Sequence, residues 1–109
     1  LLPATHHLIN AEKLAMMQPH SLLINSSRGG IVDEKALLDA LTKGQLQQAV
    51  LDVREVEPPS ADDPLRASNA IVLTPHIAGL TTEAQERTSQ LVVSDVLHVL
   101  DGGKAIGAV

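Results

Sequence analysis

Four residues in this chain have the types and positions to do acid–base chemistry on an acidic small molecule: Arg28, Asp52, Glu57 and His76. An arginine fork grips a carboxylate through two parallel hydrogen bonds, which a lysine ammonium does not. A histidine, whose unperturbed pKa is near ~6.5, exchanges protons around neutrality. A carboxylate beside it fixes the tautomer and stabilises the imidazolium. Together these groups would bind an acidic substrate and protonate or deprotonate the atom next to its carboxylate. Singly, each has a plainer reading: Arg28 as a surface arginine, Glu57 as a solvated carboxylate, His76 as a capping or core histidine.

What gives the set weight is where the surrounding elements put it. Leu22–Asn25 is a short apolar run that reads as a strand covered on both faces, as in parallel sheets. It leads into Ser26-Ser27-Arg28-Gly29-Gly30, where the two glycines read as a tight strand-to-helix turn. Asp33 then serves as N-cap of a helix, with Val32 packing on Leu37 as a hydrophobic staple. Leu37, Leu38, Ala40 and Leu41 form its buried stripe, and Gly44 its stop. Ala49–Val53 is a second apolar strand and Ala70–Thr74 a third. Strand, helix and strand within about thirty residues form a βαβ unit with parallel strands. The fold class is therefore α/β, with three parallel strands and flanking helices. In such open sheets ligands bind beyond the carboxyl ends of the strands. Arg28 follows the first strand, Asp52 and Glu57 the second, and His76 the third.

The remaining segments are simpler. Pro3–Leu8 reads as a solvated connection whose adjacent His6 and His7 cannot share a helix face. Asn10 caps a helix over Ala11–Met17, with Leu14, Ala15 and Met17 turned inward, and Pro19 bars its continuation. From Arg54 to Asn69 the chain is polar and proline-rich, a long loop of the kind that is often functional. Thr81 or Thr82 opens the longest helix, Thr82 offering a capping box with Gln85. Ala84, Thr88, Leu91, Val92, Val96, Val99 and Leu100 follow helical spacing up to Gly102-Gly103. Its roughly 30 Å length predicts packing against elements beyond these residues.

Composition narrows the classes. With 109 residues and 44% hydrophobic content the chain is globular and of single-domain size. A net charge of −5 without a basic cluster argues against nucleic-acid binding. No apolar run approaches the ~20 residues of a membrane span, and no leader-like segment is present. The absence of cysteine excludes disulfides and thiolate metal sites and is compatible with a reducing cytoplasm. No His-x-x-x-His pair or calcium-loop spacing occurs, so no metal is expected. Ser26 and Ser27 lack the Gly-x-Ser-x-Gly frame of a nucleophile elbow. His20 and His98 read as surface residues. The start at Leu1-Leu2-Pro3, without an initiator methionine, reads as part of a longer chain.

The motifs Leu2-Pro3-Ala4-Thr5, Ile24-Asn25-Ser26-Ser27-Arg28-Gly29-Gly30-Ile31-Val32-Asp33, Leu51-Asp52-Val53 with Glu57-Pro58, and Thr74-Pro75-His76-Ile77-Ala78 together resemble the D-isomer-specific 2-hydroxyacid dehydrogenases. The resemblance implies a Rossmann-like, doubly wound fold. Residues 1–109 would form the C-terminal portion of its NAD(P)-binding domain, without the glycine-rich fingerprint and the substrate domain. It implies catalytic roles for Arg28 as carboxylate anchor, His76 as general acid and base, and Glu57 as the partner of His76. It implies that Ser26, Ser27, Arg28, Asp52, His76, Ile77, Ala78 and Gly79 line NAD or NADP, with Asp52 on the nicotinamide carboxamide. The partners implied are a small 2-oxo or 2-hydroxy acid and a second copy of the parent protein in a homodimer. Related non-catalytic corepressors that sense NADH, and a truncated pseudoenzyme, are the alternative readings. Formate dehydrogenases of similar pattern carry glutamine where Glu57 stands. One departure is Arg54, where the family usually has an aromatic residue.

Overall fold

The computed structural model describes residues 2–106; Leu1 and residues 107–109, counted in the 1–109 expectation, lie outside them. The chain divides into two compact units, Leu1–Ile77 and Ala78–Val109.

The first unit is an α/β layer. In chain order it contains helix α1 (Ala11–Ala15), strand β1 (Leu22–Asn25), helix α2 (Glu34–Thr42), strand β2 (Gln48–Leu51) and strand β3 (Ile71–Leu73), with short 3-10 turns at Pro3–Thr5, Gly29–Ile31 and Pro64–Ala67. The sheet is parallel and ordered β1-β2-β3, pairing Leu23 with Ala49 and Ala49 with Ile71. Local chemistry explains the helix ends. The Asp33 side chain accepts the Ala36 N–H at 2.9 Å and caps α2. The stop follows at Gly44, whose φ of 67° suits glycine. Asn10 caps α1 by accepting the Lys13 N–H at 3.1 Å.

Leu14 of α1 and Leu37, Ala40 and Leu41 of α2 meet Ala49, Leu51 and Ile71 of the sheet in one core, which also holds Val32, Leu46 and Leu65. Each leucine side chain buried this fully stabilises the fold by roughly 1.5–3 kcal/mol. The core corrects two expectations. Ala15 is exposed and α1 ends there instead of at Met17, so Leu14 is its one fully buried residue. β1 is covered on one face, because α1 and α2 pack on the side that carries Leu23 and Asn25. Leu22 and Ile24 on the other face are 54% and 67% exposed, and Val72 of β3 is 45% exposed.

Two connections are also more ordered than their polarity implies. His7 takes a φ of 50°, donates its backbone N–H to the Gly30 carbonyl at 2.8 Å and brings its Nε2 within 3.2 Å of Glu55. Ile9 bridges Val32 in parallel. The stretch Pro3–Leu8 is thus a solvated connection, with Pro3, Ala4, His6 and Leu8 exposed, that is also tied to the rest of the unit by hydrogen bonds. Within the long 54–69 connection, Asp63 caps the Pro64–Ala67 turn by accepting the Leu65 N–H, and Leu65 is buried.

The second unit is dominated by helix α3 (Thr82–Leu100). Thr81 caps it, accepting the Ala84 N–H at 3.1 Å, because Thr81 is extended while Thr82 is already helical. Leu91, Val92, Val96, Val99 and Leu100 of its apolar positions are exposed. Gly102, at a φ of 87°, ends it.

Candidate active site

At the end of β1 the turn is built by Asn25, a residue to which its sequence position assigned no role. Its buried side-chain amide donates to the Arg28 carbonyl at 3.0 Å, and its Oδ1 accepts the Ser27 N–H at 3.2 Å. Arg28 projects from this turn in an exposed position and donates from Nη1 to the Ser27 carbonyl at 2.7 Å. Gly29 has no left-handed φ, so turn geometry is not what requires it. A Cβ there would lie 1.8 Å from the carbonyl oxygen of Arg54, and a side chain of any kind would push the two backbones apart.

The end of β2 delivers Asp52, which is 6% exposed. Its Oδ1 accepts a short hydrogen bond from the Thr74 hydroxyl and another from the Ile77 N–H at 2.9 Å. These bonds bracket His76 on both sides. His76 itself holds a φ of 56°, unusual for a residue with a Cβ and costing of order 1–3 kcal/mol unless its surroundings dictate it. Its N–H donates to the Thr74 carbonyl at 3.1 Å. In this pose its ring Nδ1 lies 2.8 Å from Glu57 Oε2. The other oxygen of Glu57 accepts the backbone N–H of Arg54 at 2.7 Å. The bond to His76 first, and that N–H second, hold the Glu57 carboxyl below its ordinary range, so it is ionised near neutrality.

Arg54, the departure from the family pattern, is the hub of a buried ionic cluster. Its side chain is 7% exposed. Nε and Nη2 make a two-pronged contact with Glu34 at the start of α2, both bonds 2.9 Å, and Nη1 donates to Asp63 at 2.7 Å. Glu34 raises the arginine's affinity for its proton most, and the arginine in turn holds Asp63 below the ordinary carboxylate range. Glu34 and Glu55 also exchange backbone N–H bonds, at 2.8 and 2.9 Å. None of these partners was legible in the sequence, because they meet across 9 to 21 residues. The one signal was an arginine where the family pattern has an aromatic.

Asp52, Glu57 and His76 line one cleft of about 950 Å³, together with Arg54, Arg66 and Thr74 and walls of Pro58, Pro59, Ile71 and Leu73. Arg28, Ser26 and Ser27 are not among its lining residues. They stand at the carboxyl end of β1, so the strand order sets out Arg28, then Asp52, then His76 along one sheet edge. Ile77 joins through its bond to Asp52, whereas Ala78 and Gly79 belong to the second unit. Among the described residues no three His, Cys, Asp or Glu side chains come together as a metal site. For a dinucleotide, the buried Asp52 carboxylate offers the acceptor that a carboxamide NH₂ needs, and Ser26 and Ser27 add hydroxyls near it in the strand order. These acceptors and hydroxyls are of the type a carboxamide can bond, and no Gly-x-Gly-x-x-Gly turn for the diphosphate occurs in this sequence.

The chain matches known proteins in sequence and in fold. Residues 1–78 match the family model described as D-isomer specific 2-hydroxyacid dehydrogenase, NAD binding domain. The chain is 51% identical over 96 residues to the (S)-sulfolactate dehydrogenase of Chromohalobacter salexigens, covering 88% of this chain and 31% of that protein. It is 41% identical over 102 residues to the D-3-phosphoglycerate dehydrogenase of Methanocaldococcus jannaschii, covering 94% and 19%. The chain thus spans a third or less of the length of these curated relatives. Among solved structures, a D-isomer specific 2-hydroxyacid dehydrogenase from Xanthobacter autotrophicus Py2 in complex with NADPH and MES superposes with a TM-score of 0.87 at 36% identity, over 100% of this chain and 44% of that one. A D-lactate dehydrogenase with NAD+ from Lactobacillus jensenii gives 0.80 at 29% identity, over 100% and 37%. With a strand-end Glu–His pair, a parallel sheet and a matching family model over most of its length, the chain belongs to the D-isomer specific 2-hydroxyacid dehydrogenase family, its residues 1–78 falling in that family's NAD binding domain.

Proposed function

We propose that this chain works within an NAD(P)-dependent oxidoreductase that interconverts a small 2-oxo acid and its D-2-hydroxy acid. The observation that carries the reading is the 2.8 Å contact between Glu57 and the Nδ1 of His76 at the carboxyl edge of the sheet. An ionised Glu57 requires a proton on Nδ1, so the ring's other nitrogen is the one that exchanges protons with substrate. In reduction, imidazolium Nε2–H donates to the carbonyl oxygen as that oxygen gains charge, leaving a neutral ring with its proton on Nδ1. In oxidation the neutral Nε2 takes the hydroxyl proton. Arg28 holds the substrate carboxylate in its fork and polarises the adjacent carbonyl. Asp52 would accept from the nicotinamide carboxamide, with Ser26, Ser27 and Ile77 lining that end. The nicotinamide, when bound, supplies or accepts the hydride.

In this reading residues 1–109 are a portion of a dinucleotide-binding domain and supply one wall of the site. Relatives several times the length of the matched segment support it. The named acids of those relatives, sulfolactate, phosphoglycerate and lactate, share a 2-hydroxy carboxylate, which is the part of the substrate that Arg28 and His76 would read. A cysteine-free composition supports a cytoplasmic setting, and the family resemblance supports a homodimer.

The test is oxidation of NADH or NADPH by the intact protein with glyoxylate, hydroxypyruvate and related acids. His76→Ala is expected to lower kcat by about 10²–10⁴, the contribution of a positioned acid. Arg28→Ala is expected to abolish use of these acids. Turnover retained in either variant removes that residue's role. A binding partner that responds to NADH, with no turnover on any acid, would favour the corepressor-like alternative.

A further inference from the structure

Arg54 makes no side-chain hydrogen bond to Arg28 or His76, yet its backbone N–H and carbonyl face the two halves of the site. Its N–H donates to Glu57 Oε1 at 2.7 Å, and the opposite oxygen of Glu57 holds His76 Nδ1 at 2.8 Å. Its carbonyl lies against Gly29, directly after Arg28, so closely that a Cβ on Gly29 would come within 1.8 Å of it. The side chain of the same residue is itself fixed. The guanidinium is clamped on two sides, by both oxygens of Glu34 on α2 and by Asp63 at the mouth of the Pro64–Ala67 turn. A planar five-donor fork held at three points has a single orientation, which a point-charge lysine or an apolar side chain would not impose.

We infer that Arg54 is a positioning residue for the acid–base pair: its buried guanidinium anchors the backbone whose N–H aims Glu57 at His76. The arginine takes no part in the proton transfer. It sets the distance and direction of the Glu57–His76 bond before substrate arrives, so its loss should slow the chemical step more than it weakens substrate binding. The inference rests on the proposed role of His76 as acid and base.

The test is a double-variant cycle in the intact protein with Arg54→Met and Glu57→Gln. Arg54→Met is expected to lower kcat by about ten- to a hundredfold, part of the ~10²–10⁴ that a positioned acid supplies. KM should change by less than about threefold. In the Glu57→Gln background the same change should cost less than about twofold more, because the arginine acts through that carboxylate. A merely structural role would instead add its loss to that of Glu57→Gln, or leave kcat intact, and either result overturns the inference. Should Arg54→Met fail to fold, Arg54→Lys keeps a charge between Glu34 and Asp63. It should show the same kcat loss on a smaller scale, and full activity in Arg54→Lys would overturn the inference. A readout independent of turnover is the downfield proton resonance of His76 Nδ1–H. It should broaden or vanish in Arg54→Met as in Glu57→Gln, and a sharp unshifted signal in Arg54→Met contradicts the assignment. If His76→Ala retains turnover, the proposed function fails. If His76→Ala is inactive and Arg54→Met is not impaired, the role of Arg54 alone fails.

Discussion

His76 stands at the end of a relay of hydrogen bonds that runs through Glu57 and the Arg54 peptide to Glu34 and Asp63, whereas Arg28, two strands away, donates from its fork to the neighbouring Ser27 carbonyl. The difference matches the roles proposed for the two groups. An acid–base histidine needs its tautomer and direction set in advance, since a misplaced proton cannot be transferred. A carboxylate anchor can be ordered by its ligand. That ordering costs the arginine about 2 kcal/mol of rotamer entropy, which a two-pronged ion pair offsets. The Glu57–His76 flank is thus ordered by its own hydrogen bonds, whereas the Arg28 flank, in the proposed function, would be ordered by the substrate. Gly29 is where the two flanks touch, through the Arg54 carbonyl.

The sharpest way to break this picture is at that junction. Gly29→Ala places a methyl 1.8 Å from the Arg54 carbonyl oxygen, so the two backbones must part, and should destabilise the fold by about 3 kcal/mol, the upper end for overpacking. A thermal midpoint equal to wild type would show that the two flanks are not rigidly joined.

The next effect concerns the locked flank and its pH dependence. Arg54 holds Asp63 below its unfolded pKa of about 3.9, so the unfolded chain binds the extra proton. The stabilisation from Asp63 is thus complete above about pH 4–5 and is lost as pH falls through the folded value. Asp63→Asn should cost about 2 kcal/mol at pH 7, in the range of a hydrogen bond to a charged group. The gap between variant and wild type should close below about pH 4 in urea titrations. A gap that stays constant down to pH 3 would mean that the Arg54–Asp63 bond adds nothing to folding.

The smallest change tests the open flank. Asp33→Ala removes the cap of α2 behind the Arg28 turn and should cost about 1 kcal/mol. It should leave the His76 Nδ1–H resonance where it is. A shift of that resonance would show that the flanks are coupled through α2 as well as through Arg54.

Sequence carried far where the physics is local. Asp33 capping α2 and Gly44 ending it, the strand cores within Leu22–Asn25, Ala49–Val53 and Ala70–Thr74, and the long α3 all follow from caps, turns and periodicity within a few residues. Burial was read less well. The second face of β1 and the inward turn of Ala15 depended on which partner elements lie in the same unit, and a run of apolar letters does not specify that. The stretch from Arg54 to Asn69 reads as a long loop because the partners that anchor Arg54, Glu34 before it and Asp63 after it, are distant in sequence.

The same division holds for the site. By its own pattern the chain determined that an arginine, two carboxylates and a histidine follow successive parallel strands, since residue type and strand end are both written locally. The resemblance implied that Glu57 is the carboxylate that meets the histidine, and the fold makes that contact; only the tertiary structure decided that the glycine beside Arg28 exists for contact and not for its φ, and that Arg54 is buried at all. Those outcomes depend on angstrom-scale approach between segments about 20 residues apart, where hydrogen bonds and steric contact select partners that no local propensity encodes.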